Sequence, residues 1–72
     1  MSKSTTDLCS IARAGGGISI SSSKSTTDLC SIARAGNATN AALIIRNADQ
    51  KSTTDLCSIA RASAGNVTFE FE

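Results

Sequence analysis

Cys9, Cys30 and Cys57 are the residues with the most chemistry to offer. A thiolate is both a nucleophile and a soft metal ligand, so three of them invite a zinc reading. Their spacings of 21 and 27 residues match no common zinc pattern, and the chain has no histidine. A fourth ligand would have to be water or a carboxylate. Packed helices also sit about 8–10 Å apart, too far for three sulfurs to converge on one ion without distortion. The same separation exceeds disulfide reach, and an odd count leaves one thiol over. The preferred reading is a small buried hydrophobe at a helix edge, and no metal or cofactor is expected.

The other candidates fall in the same way. Arg13, Arg34 and Arg61, with Lys3, Lys24 and Lys51, make six of the seven cations and suggest a phosphate ladder. Each copy also carries one Asp and is therefore only +1, and neither Tyr nor Trp is present to stack a base. Arginine complementing the negative end of a helix dipole explains them better. Gly15-Gly16-Gly17 follows a helical pattern rather than a strand and lacks the lysine of a phosphate-binding loop, so it reads as a linker. The paired threonines (Thr5-Thr6, Thr26-Thr27, Thr53-Thr54) lie at helix starts, where capping is the expected role, not a flat ice-binding array. The serines have no general base beside them, and no enzyme activity is expected.

These residues share one carrier. The segment Lys-Ser-Thr-Thr-Asp-Leu-Cys-Ser-Ile-Ala-Arg-Ala occurs at Lys3–Ala14, Lys24–Ala35 and Lys51–Ala62 without a substitution. Each copy reads as a helix. Ser4 or Thr5 supplies an N-cap oxygen, Asp7 takes the acidic position of a capping box, and Arg13 sits in the last turn. Gly15 and Gly36 stand where a left-handed residue would end the first two helices. Ser63-Ala64-Gly65 replaces that glycine in the third copy, so its helix is expected to run slightly longer. At about 100° per residue, Leu8, Ile11 and Ala12 form one stripe with Cys9 at its edge, while Ser10 and Arg13 point away. Helices this short do not persist alone in water, so each must pack its Leu/Ile stripe on a partner.

The connecting segments supply that partner. Ile18-Ser19-Ile20-Ser21 alternates with the period of a strand, and Val67-Thr68-Phe69-Glu70-Phe71-Glu72 does so more clearly, with Val67, Phe69 and Phe71 inward. Between them, Ala41-Ala42-Leu43-Ile44-Ile45-Arg46 is apolar on both faces, as a central strand would be, although its alanines leave a helix open. Asn47-Ala48-Asp49-Gln50 returns the chain to the third helix. The order is α-β-α-β-α-β, and right-handed crossovers make the strands parallel. The fold class is therefore α/β: a short βα solenoid of three helix-strand repeats (units 3–23, 24–50 and 51–72), one domain over residues 1–72. Its three-stranded parallel sheet has order 1-2-3, with the helices on one face. Ser19, Ser21, Ala42, Ile44, Arg46, Thr68, Glu70 and Glu72 are expected on the other face.

Leu43-Ile44-Ile45-Arg46-Asn47 followed by Leu56-Cys57-Ser58-Ile59-Ala60 resembles one α/β leucine-rich repeat. There a short alternating strand and an Asn lead into a Leu-rich helix, at intervals of about 20–29 residues. The resemblance covers one unit; the strand segment after the first helix has no Asn at the equivalent place. It implies a scaffold that binds protein partners rather than an enzyme.

Two origins account for identical copies: a recent duplication, or construction from one reused segment. Exposed Lys, Ser and Arg are as invariant as Leu and Ile, which either origin explains. A free cysteine in each copy points to a naturally occurring helix as its source. The large apolar residues (four Leu, seven Ile, one Val, two Phe and Met1) make a thin core. Open sheet edges and Ile44 on a face of small residues then favour a homo-oligomer, and three equal segments leave helix exchange between chains open. The expected function is a structural or engineered scaffold that self-associates. The alternative is a protein-interaction module using the open sheet face. No nucleic acid or membrane partner is implied by the charge, and a cytoplasmic location is the default without a signal-peptide core. Asn37-Ala38-Thr39 and Asn66-Val67-Thr68 match the glycosylation sequon by coincidence on that reading.

Overall fold

The computed structural model describes residues 4–71. Met1, Lys3 of the first copy and Glu72, expected on the open sheet face, lie outside the described residues. The elements run α1 (Thr5–Arg13), β1 (Ile18–Ser21), α2 (Thr26–Ala35), β2 (Leu43–Arg46), a 3-10 turn (Ala48–Gln50), α3 (Thr53–Ala62) and β3 (Val67–Phe69). The chain is α/β, and its three strands form a parallel open sheet in the order β1-β2-β3. Ile18 pairs with Leu43 and Leu43 with Val67, so the first residues of the three strands lie side by side.

Local chemistry sets the helix starts. Ser4, Ser25 and Ser52 each accept a hydrogen bond from the backbone N–H of the Asp three residues on, at 3.1, 3.2 and 3.2 Å. The cap is thus the serine in every copy, and the threonines behind it occupy the first helical turn. This satisfies one of the unpaired N–H groups that a helix start exposes.

The ends differ between copies. In α1, Gly15 (φ +95°) donates to the Ala12 carbonyl and Gly16 to that of Ile11, both at 3.0 Å, a Schellman ending. Ile11 folds over the turn so closely that a Cβ on Gly16 would sit 2.7 Å from its Cγ2. Gly36 does not take the expected left-handed role, since its φ is −85°. Its surroundings are close: a Cβ there would lie 3.1 Å from Asn66 Nδ2 and 3.2 Å from the Ala41 carbonyl, so these neighbours would have to shift slightly. The left-handed turn after α2 falls instead on Asn40 (φ 57°). The third helix, expected to run longer, has 10 residues, one more than α1 and the same number as α2.

One sheet face carries the core. Leu43 and Ile45 are buried, Ile18, Ile20, Val67 and Phe69 pack partly against them, and Leu29, Ile32, Ile45 and Ile59 are the largest fully buried side chains. Burying such a side chain contributes about 1.5–3 kcal/mol, so these four outweigh any single cap. The strands are shorter than the alternation suggested: Ala41 and Ala42 precede β2, and β3 stops at Phe69. Phe71, expected inward, is 61% exposed, because no element covers the chain beyond the end of β3.

Polar side chains tie neighbouring units together. Thr39 Oγ1 donates to the Ala12 carbonyl at 2.7 Å, and Asn37 Nδ2 to that of Ala62 at 3.0 Å. One loop after α2 therefore satisfies helix-end carbonyls of both α1 and α3. Ser22, the only buried polar residue among those described, donates to the Asn47 carbonyl at 2.7 Å. No buried side-chain polar atom among the described residues lacks a partner.

Candidate functional site

Identical residues occupy unequal places. Cys9 is buried, Cys30 half-buried and Cys57 exposed, so the packing role expected of all three holds fully for Cys9 alone. Among the described residues no group of three or more His, Cys, Asp or Glu side chains is placed to hold a metal. Arg13, Arg34 and Arg61 are all exposed at helix ends. Arg13 and Arg34 flank a shallow depression with Ser31, Ala35 and Ala38, a site without buried polar groups to orient an anion. Gly15 and Gly16 give their N–H groups to helix carbonyls, which leaves neither free to cradle a phosphate. The sequon asparagines are similarly engaged, Asn37 Nδ2 with Ala62 and Asn66 Nδ2 with the Ala41 carbonyl at 2.6 Å.

The pattern behind the cysteines extends to whole helix flanks. With about 100° between residues, Cys and the first Ala of the motif lie on one flank, and Asp, Ile and the last Ala on the other. α2 packs against both α1 and α3. In α2 both flanks are covered: Ile32, Ala33 and Ala35 are buried and Cys30 half-buried. α1 buries Cys9 and Ala12 but exposes Ile11 (39%), Asp7 and Ala14. α3 does the reverse, burying Ile59 and exposing Cys57 and Ala60. The Cys/Ala flank therefore points to the following unit, and the Ile/Ala flank to the preceding one. Leu8, Leu29 and Leu56, midway between, are buried in all three copies.

Two surfaces remain uncovered at the ends of this arrangement. At the α1 end, Leu8 and Ile11 face Ile18 and Ile20 across an open groove of about 490 Å³ that Lys24 and Arg46 also line. At the α3 end lie Cys57, Ala60 and the outer edge of β3, with Phe69 half-buried and its neighbour Phe71 exposed, their rings 6.5 Å apart. The open sheet face offers less. Ser19, Ala42, Arg46, Thr68 and Glu70 are exposed, Ser21 is half-buried, and Ile44 is the one large apolar residue, itself half-buried.

Sequence reasoning could not find the two end surfaces within the motif, because the motif is the same everywhere. What separates the copies is their packing: α2 lies against both α1 and α3. No helix among the described residues is long and apolar enough to cross a membrane. Compared with known protein families, curated proteins and solved structures, the chain matches none.

Proposed function

We propose that the chain is a structural scaffold: a short βα solenoid, built by reusing one helix three times, that carries no substrate and associates with itself. The observation that carries this reading is the unequal burial of identical helices. α2 covers both flanks, whereas α1 and α3 each leave one apolar flank in water. A core of this size leaves little stability in reserve, and covering those flanks adds to it. The open sheet face, with mostly small and polar residues, supports partner binding less well.

Native mass spectrometry on freshly reduced protein over a concentration series tests the reading. Masses at whole multiples of the bare chain are expected, shifting to larger multiples as concentration rises. A folded monomer at every concentration would contradict self-association. Extra mass matching bound zinc would overturn the assignment of the cysteines to packing.

A further inference from the structure

We propose that copies of this chain join head to tail, with the α3 end of one seated on the α1 end of the next. The proposal rests on the self-association inferred above and specifies its geometry. Inside the chain the same interface is already made twice. The Cys9/Ala12 flank of α1 meets the Ile32/Ala35 flank of α2, and the Cys30/Ala33 flank of α2 meets the Ile59 flank of α3. The uncovered surfaces are the remaining halves of that interface: Cys57/Ala60 on α3 and Ile11/Ala14 on α1. Since the helices are identical in sequence, α3 and the α1 of a second copy are matched side chain for side chain.

The sheet supports the same occupant. All strands are parallel, and β1 and β3 are its two edges, so a second copy placed this way sets β3 beside β1 in the direction the sheet already uses. The groove beside β1 is lined by Ile11, Ile18 and Ile20, and it accepts the apolar side of β3 with its adjoining phenylalanines. Lys24 at that groove and Glu70 just beyond β3 carry opposite charges. Such a contact is heterologous. Each added copy presents the surface it has just covered, so the assembly grows as a series instead of stopping at a two-fold dimer.

Mixing two blocked variants tests the geometry. Ile11→Glu blocks only the α1 end and Ala60→Glu only the α3 end, both at exposed positions, with circular dichroism to check folding. Each variant alone is expected to sediment as a monomer, and their equimolar mixture as a heterodimer. A mixture that stays monomeric while the parent chain assembles would overturn the head-to-tail geometry. So would either variant assembling alone, as a sheet-face contact or helix exchange would allow. A parent chain that is monomeric throughout would remove the self-association reading as well, so the two failures are distinct. Thiol labelling supplies a second readout. Cys57 is expected to react roughly tenfold more slowly in the assembled parent chain than at dilution, as a buried group is reached only on opening. Cys9, already buried, is expected to stay slow throughout. Unchanged Cys57 labelling on assembly would also overturn the proposal.

Discussion

α1 and α3 share every residue of the repeated segment, yet they bury opposite flanks. Ile11 is 39% exposed where Ile59 is fully buried, and Cys9 is buried where Cys57 is in water. Their caps, by contrast, are the same bond at nearly the same length. The difference separates two kinds of property. What depends on residues within one turn repeats with the sequence. What depends on neighbours across the layer follows the position of the copy, and only α2, packed on both sides, satisfies both flanks.

The largest effect that would break this comparison is a deletion at the isoleucine position. Ile59→Ala is expected to cost about 2–5 kcal/mol, while Ile11→Ala is expected to cost less than about 1 kcal/mol. Urea unfolding at a dilution that keeps the chain monomeric measures both, and equal losses would mean that the two flanks are equally covered. Adding volume on the other flank comes next. Ala33→Leu overpacks a fully buried site and is expected to cost about 1–3 kcal/mol, whereas Ala60→Leu at an exposed site is expected to be near neutral. A comparable midpoint shift for both would place a neighbour over Ala60. The smallest effect sharpens the contrast from the other direction. Ser4→Ala, Ser25→Ala and Ser52→Ala are each expected to cost about 1 kcal/mol, alike within error, because capping is local. A cap loss that varied with position as widely as the isoleucine losses would remove the distinction between local and positional effects.

Much of the fold was legible in the chain. The serine caps, the helix stripe centred on leucine, the three strand positions and their parallel order all follow from side chains close in sequence or from the handedness of crossovers. The departures arise where distant segments meet. Gly36 was expected for its backbone freedom, but Asn66 and Ala41 crowd it, and neither is visible from the helix it ends. Ser22 stands at the strand position equivalent to Asn47, where the leucine-rich pattern has no matching Asn, and it is buried through its bond to the Asn47 carbonyl. Ala48, read as part of a return segment, is fully buried in the 3-10 turn, its N–H donating to the Glu70 carbonyl at 2.9 Å. Phe71 carries the alternation expected of a strand but extends past the element that would have covered it.

By itself the sequence determined a helix at each repeated segment, a Ser or Thr cap at its start, and strands able to pair beneath it, because those depend on propensity and pattern within about ten residues. The tertiary structure alone decided which cysteine is buried, which isoleucine is exposed and which flank each end leaves uncovered. The physical reason is that burial is a property of neighbours, and identical segments acquire different neighbours by standing first, middle or last in the layer.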